Sequence, residues 1–152
     1  MTEDQLLTGD YQSFFEPYPI KVPEIHSGDT YFFTTESGLQ YEVRFGRKRD
    51  NYLGNIINFS VLSEEFEDEY TETNRGENFR IISTMIEIIR IYHENHPYSD
   101  TYEFTGEYKD TRDTQTASIR SRLYFRYARK YLNENWEPLL EGNKVVIRKL
   151  KS

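Results

Sequence analysis

The segment Thr73–Asn78 reads TNRGEN and leads into a run rich in isoleucine. Apolar residues in that run recur at three and four positions, the spacing of a helix with one buried face. The first N–H groups of a helix have no partner within the helix, so they can hold an anion such as phosphate. The residues for such a site would be Arg75, Gly76 and Asn78, where the glycine lets the backbone approach a ligand closely.

The same segment can also satisfy its own N–H groups. Asn74 is a favourable N-cap residue, and Glu77 three positions later completes a variant of the capping box. Glu77 further places a negative charge where a phosphate would lie. We therefore predict a helix start that is capped by its own side chains.

Tyr124, in the stretch SRLYFRY, is a candidate proton donor. A tyrosine with a pKa near about 10 can act as a general acid. The chain contains 13 tyrosines and 10 phenylalanines, however, and a tyrosine on an amphipathic helix is typical of a core position. Both roles are kept as hypotheses for Tyr124.

Two groups of basic residues could contact nucleic acid. Arg47, Lys48 and Arg49 lie in a polar connection, and Arg122 and Arg126 lie on one face of a predicted helix. Basic side chains interleaved with aromatic ones can bind phosphates and stack on bases. The net charge of −7 and the pI of about 5.1 oppose this, because the whole molecule repels a polyanion. We do not expect a nucleic-acid partner.

His93 and His96 would lie one helical turn apart. Two imidazoles alone make a poor zinc site, which needs a third protein ligand, and a chain without cysteine offers no thiolate. We expect no metal. The glycine patterns of nucleotide-binding loops and the Gly-x-Ser-x-Gly pattern of hydrolases are also absent from the sequence.

Alternating apolar residues predict strands that flank two helices. The clearest alternation joins Leu39, Tyr41, Val43 and Phe45, and the glycine-bearing turn at 36–38 makes a β-hairpin with the segment before it. The predicted order is β-β-β-(β)-α-β-α-β-β, with a weak strand at 70–73. This order predicts an α+β fold with a largely antiparallel, mixed sheet and two main helices. In the second helix, the predicted apolar line comprises Ile119, Leu123, Tyr127 and Tyr131.

Residues 1–30 form an extended arm packed on a single domain of residues 31–152, in our interpretation. Pro17, Pro19 and Pro23 exclude a helix interior in the arm. The arm could dock instead on a second copy, so a homodimer stays an open alternative.

No membrane association is expected, since no apolar run approaches the roughly 20 residues of a membrane span. Without cysteines or a signal peptide, the sequence predicts a cytoplasmic protein.

From about Tyr31 to Lys149 the element order resembles the GNAT acyltransferase fold. In that family, an R/Q-x-x-G-x-G/A loop at a helix start binds the pyrophosphate of acyl-coenzyme A, beside a V-shaped cleft between splayed strands. The matching window, Thr73–Asn78, keeps Gly76 but lacks the first Arg or Gln and the last small residue. The pair Leu123-Tyr124 aligns with a Leu-Tyr pair whose tyrosine can protonate the departing thiolate.

At finer grain, YFFTTESGLQYEVRF, ISTMIEIIRIY and RSRLYFRY together resemble segments of small proteins of Bacteroidetes and their phages. That resemblance implies no particular activity. The altered loop favours a non-catalytic GNAT-like protein without a cofactor, which acts through contacts with another protein. One alternative is an N-acyltransferase that uses acyl-coenzyme A, and another is a phage or host-defence factor that contacts nucleic acid.

Overall fold

The computed structural model describes residues 6–8, 16–25, 28–36, 38–61, 75–105, 119–142 and 144–150. The strands are β1 (Thr30–Thr34), β2 (Gln40–Arg47), β3 (Gly54–Val61), β4 (Thr101–Thr105), β5 (Trp136–Glu141) and β6 (Lys144–Lys149). The helices are α1 (Arg75–Asn95) and α2 (Ile119–Tyr131). Their order in the chain confirms the predicted α+β class. The weak strand predicted at 70–73 lies outside the described residues.

The strands form one mixed sheet in the order β1-β2-β3-β4-β6-β5. The neighbours β3 and β4 are parallel, and every other neighbouring pair is antiparallel. A parallel pair cannot be closed by a tight turn and needs a crossover segment. Here the crossover contains α1, which lies between β3 and β4 in the chain. The sheet is therefore largely antiparallel, as predicted.

Side-chain alternation divides the sheet into a buried face and a solvated face. On β2, Tyr41, Val43 and Phe45 are almost completely buried, and they pack in one apolar cluster with residues of both helices. The opposite face of the sheet carries ion pairs, such as Arg44 with Glu42 at 3.3 Å. Both helices thus contribute to one core over a single face of the sheet.

Helix α1 is buried along most of its length. Its predicted apolar residues Ile82, Met85, Ile86 and Ile89 are each at most 3% exposed. Isoleucine is not a strong helix former, but packing of an amphipathic face against a sheet outweighs intrinsic propensity. The helix ends at Asn95, two residues before Pro97, since proline is not tolerated in a helix interior.

The described side chains of the predicted apolar line of α2 pack against the core but are not its most deeply buried residues. Tyr124 and Ala128 are buried at 0% and 2%, whereas Leu123, Tyr127 and Tyr131 are only partly buried against the core. Rings occur on more than one side of this helix, so the spacing could not tell which side meets the sheet. Contacts of α2 with β5, β6 and α1 decide its orientation.

The described parts of the arm lie against the rest of the same chain. Leu7 forms an isolated bridge with Leu132 at the end of α2, and Lys21 forms one with Phe32 on β1. Tyr18 is 4% exposed, and its ring stacks on that of Phe33 with 6.0 Å between centroids. Tyr18 and Lys21 thus lie against β1 at one edge of the sheet, whereas Leu7 lies at the end of α2.

Candidate functional site

The parallel strands β3 and β4 are paired along only part of β3. The pairing runs from Gly54 with Thr101 to Ile57 with Phe104. β3 continues to Val61, which is paired with Tyr41 of β2. The last four residues of β3 thus have β2 as their described partner, on the side of the strand away from β4.

Tyr124 lies beside the point where the pairing of β3 and β4 ends. Its ring meets that of Phe104 edge-on, with centroids 5.0 Å apart and an interplanar angle of 84°. Phe104 is the last β4 residue paired with β3. Tyr124 is 0% exposed, so its hydroxyl is enclosed in this structure. Tyr124 lies in the second helix, and its ring is a core side chain.

The three residues predicted to hold pyrophosphate lie in the first turn of α1. Arg75 is the first residue of the helix, and Gly76 and Asn78 follow in its first turn. Their backbone N–H groups belong to the set that has no partner within a helix. The predicted N-cap Asn74 lies outside the described residues, so the competition between capping and phosphate binding stays a prediction.

Lys48 is bound to an acid on the solvated face of the sheet. Its Nζ donates to Oε2 of Glu103 on β4, and Lys144 on β6 lies 3.4 Å from the other carboxylate oxygen. This hydrogen bond raises the pKa of Lys48. Burial alone would raise the pKa of Glu103, but the hydrogen bond from Lys48 and the charge of Lys144 hold it below its ordinary value. Lys48 is therefore committed to an internal ion pair.

The other predicted basic residues are exposed and lie on two separate parts of the fold. Arg47 and Arg49 lie at the end of β2 and in the connection to β3, whereas Arg122 and Arg126 lie on α2. Helix α2 packs against β5 and β6, at the far edge of the sheet from β1. The described contacts do not join the two groups into one surface, and nucleic-acid contact through them stays a prediction.

His93 and His96 each hydrogen-bond within the protein. The Nδ1 of His93 lies 2.7 Å from the hydroxyl of Tyr102, and the Nδ1 of His96 donates to the carbonyl of Tyr92 at 2.9 Å. Within the described ranges, no three histidine or acidic side chains come together as a metal site would require.

His93 belongs to a buried polar cluster that sequence reasoning missed. The hydroxyl of Tyr92 donates to Oδ1 of Asn55 at 2.9 Å, and Nδ2 of Asn55 donates to the hydroxyl of Ser99 at 2.9 Å. Burial raises the pKa of Tyr102 far above its usual range, so its phenol stays neutral. The cluster ties the start of β3 to the end of α1 and the start of β4. The only sequence signal was Asn55 at a core position of a strand.

A groove of about 490 Å³ lies between the arm and the edge of the sheet, lined by Pro19, Lys21, Phe32, Phe33, Thr34, Gln40 and Tyr41. Among the described residues that line it, the ionisable side chains are Lys21 and the buried Tyr41. These described residues include no carboxylate that could face Lys21, so they do not provide the carboxylate and base of an acid–base pair.

Exposed apolar residues gather at the end of the sheet where β3 and β4 begin. Tyr52 and Tyr98 are 80% and 82% exposed, and Leu53 and Leu150 are 46% and 44% exposed. We call these four residues the Tyr52–Tyr98 face. No local spacing in the sequence indicates this face, because its residues come from segments that are distant in the chain.

Comparison of the chain with protein-family models, curated proteins and solved structures found no match. Among the described residues, neither helix is long and apolar enough to cross a membrane.

Proposed function

We propose that the protein is a GNAT-like domain that acts through contact with another protein and does not transfer acyl groups. The observation that carries this proposal is the enclosure of Tyr124, which lies on the buried side of α2 and is 0% exposed. A general acid must come within hydrogen-bond reach of the group it protonates. A phenol packed edge-on against Phe104 inside the core would have to leave its packing to do so.

The sheet supports the GNAT-like part of the proposal. It contains one parallel pair, β3 with β4, joined through α1, and the described pairing of the two strands ends at Ile57 and Phe104. A parallel pair that extends along only part of β3 fits the cleft between splayed strands that the resemblance implies. The protein-contact part is supported by the Tyr52–Tyr98 face, since clustered apolar residues in water favour association.

Thermal unfolding with acetyl-coenzyme A tests the proposal. A ligand at 100 times its Kd raises the free energy of unfolding by about 2.7 kcal/mol. At about 1 mM acetyl-coenzyme A, a Kd of about 10 µM would thus produce a clear increase in Tm. We expect no increase for the wild-type chain. An increase that is lost in Arg75→Ala would contradict the proposal and locate the cofactor at the start of α1.

The second candidate function is an N-acyltransferase that uses acyl-coenzyme A. It is favoured by the position of the first turn of α1, with Arg75, Gly76 and Asn78, in the crossover that follows β3. In this reading Tyr124 moves from the core to protonate the departing thiolate. The expected result is a cofactor-dependent Tm increase, together with acyl transfer that Tyr124→Phe reduces by about 100-fold or more.

A further inference from the structure

The Tyr52–Tyr98 face gathers apolar residues from three segments of the chain. The described residues include seven large apolar side chains that are exposed, and four of them belong to this face. Tyr52 and Leu53 come from the connection between β2 and β3, Tyr98 from the connection between α1 and β4, and Leu150 from the end of β6. Single exposed apolar residues are ordinary, whereas a cluster built from distant segments marks a surface for association.

Hydrogen bonds hold these segments together. The N–H of Asp100 donates to the carbonyl of Leu53 at 2.8 Å, and the N–H of Lys149 donates to the carbonyl of Asp100 at 2.8 Å. Nδ2 of Asn51 also donates to a carboxylate oxygen of Asp100 at 3.0 Å. The face is therefore fixed before any partner arrives, which lowers the entropy cost of binding.

Two exposed arginines, Arg47 and Arg49, lie beside the face although the chain as a whole has a net charge of −7. The third basic residue of the segment, Lys48, is paired with Glu103. Arg47 and Arg49 are exposed, and neither has an acidic partner among the described ion pairs. Arg90, by contrast, is paired with Glu87 and Glu94. Arg47 and Arg49 thus remain available to carboxylates of a partner.

We propose that the Tyr52–Tyr98 face binds an acidic segment of another protein that also carries apolar side chains; this inference rests on the proposed function by protein contact. Tyrosine and arginine dominate the energetics of protein interfaces. Exposed Leu53 and Leu150 suit an apolar anchor, whereas nucleic acid is bound by aromatic stacking and phosphate contacts. A twofold-symmetric dimer would bring the same patch of two copies together and place Arg47 and Arg49 near their own equivalents.

Selection from a phage-displayed library of random 16-residue peptides on the immobilised full chain tests this proposal. We expect enriched peptides to combine aspartate or glutamate with leucine, phenylalanine or tryptophan. Their Kd is then measured with fluorescein-labelled synthetic peptides by fluorescence polarisation. Binding should weaken as salt rises from about 0.05 to 0.5 M, because exposed charge pairs are screened.

Three double variants give the decisive comparison. Tyr52→Ser with Tyr98→Ser, and separately Arg47→Ser with Arg49→Ser, should each raise the Kd by about tenfold or more. Val22→Ser with Ile25→Ser is the matched control, because these side chains are 51% and 71% exposed but lie in the arm. We expect the control to leave the Kd unchanged. All three should keep the wild-type circular dichroism spectrum, since the altered side chains are exposed.

Several outcomes would overturn the inference. They are a lack of enrichment, enrichment of basic peptides, and peptides that bind the wild type and both face variants equally. A fluorescein-labelled dT16 oligonucleotide that binds the wild type, and not the face variants, would assign the face to nucleic acid. Dimerisation in analytical ultracentrifugation that the tyrosine variant abolishes would assign it to a second copy. None of these outcomes depends on acetyl-coenzyme A, whose effect on Tm separately tests the proposed function.

Discussion

The hydroxyl of Tyr102 occupies the middle of a core that is otherwise largely aromatic and aliphatic. It lies 2.7 Å from Nδ1 of His93, and the His93 ring meets Trp136 edge-on at 5.2 Å. Tyr102 and His93 are 0% and 3% exposed. Polar groups this deep remain stable only when they are hydrogen-bonded to each other, because water cannot replace the bond.

Tyr102→Phe should therefore destabilise the fold although it preserves the ring. The substitution removes one hydrogen bond of a buried imidazole, and we expect the free energy of unfolding to fall by about 1–3 kcal/mol. Urea denaturation followed by circular dichroism measures the change. Tyr98→Phe is the matched control, because Tyr98 is 82% exposed and should shift stability by less than about 0.5 kcal/mol. Equal stability of the two variants would show that the bond to His93 contributes nothing.

At this scale the sequence identified candidate side chains better than it identified their surroundings. It singled out Tyr124 and the first residues of α1, and those residues do lie in the two helices. Whether Tyr124 faces a ligand or the core depends on how α2 rotates against β5 and β6, which is a long-range effect. The hydrogen bond from Tyr92 to Asn55 joins residues 37 positions apart, so no local spacing could indicate it.

The hairpin of β1 and β2 shows what local sequence does determine. The alternation of apolar and polar residues predicted the buried face of β2, and the turn residues predicted the reversal of the chain. In the structure, the N–H of Thr35 donates to the carbonyl of Leu39 at 2.9 Å, and Gly38 has a φ of 90°. Residues with a Cβ rarely adopt that φ, so the glycine is part of the turn and not an incidental choice.

Gly38→Ala should destabilise the hairpin by about 1–2 kcal/mol through backbone strain alone. A Cβ built at Gly38 meets no atom within 4 Å, so a steric clash cannot account for a loss. Gly46→Ala on β2 is the control, because its Cβ would meet only the carbonyl oxygen of Ile56 at 3.9 Å, an ordinary contact. Its stability should stay equal or rise by up to about 1 kcal/mol. Chemical denaturation distinguishes the two, and a neutral Gly38→Ala would refute the argument from strain.

The order of the strands in the sheet could not be predicted from local sequence patterns. Periodicity shows which side of a strand is buried but not which strand lies beside it. The position of β6 between β4 and β5 follows from pairings such as Phe104 with Val145, between residues 41 positions apart. The parallel pairing of β3 with β4 is likewise long-range, because α1 lies between the two strands in the chain.

Across the whole molecule, tyrosine takes the place that aliphatic residues fill in many cores. Tyr31, Tyr41, Tyr102 and Tyr124 are among the largest side chains that are fully buried. Such a core is stable while each phenol is neutral, because burial disfavours the phenolate. The composition, 13 tyrosines in 152 residues, thus couples the stability of the protein to alkaline pH.

The free energy of unfolding should fall steeply above pH 10. Burial raises the pKa of Tyr31 from 10.0 to about 12, and burial also raises the pKa of Tyr92 and Tyr102. Below pH 10 the phenol of Tyr31 is protonated in both states, so its contribution is fully present. Between pH 10 and about 12 the unfolded chain loses that proton while the folded chain keeps it, so stability declines with pH.

For Tyr31 alone this decline amounts to about 2–3 kcal/mol over the two pH units. Urea denaturation at pH 8, 10 and 11 measures it, and Tyr31→Phe should lower the slope above pH 10 because one titrating phenol is removed. Absorbance at 295 nm provides an independent reading, since burial raises the pKa of the phenols of Tyr31, Tyr92 and Tyr102 in the folded chain. A free energy of unfolding that stays level up to pH 11 would mean that the tyrosines of this core ionise without opening it.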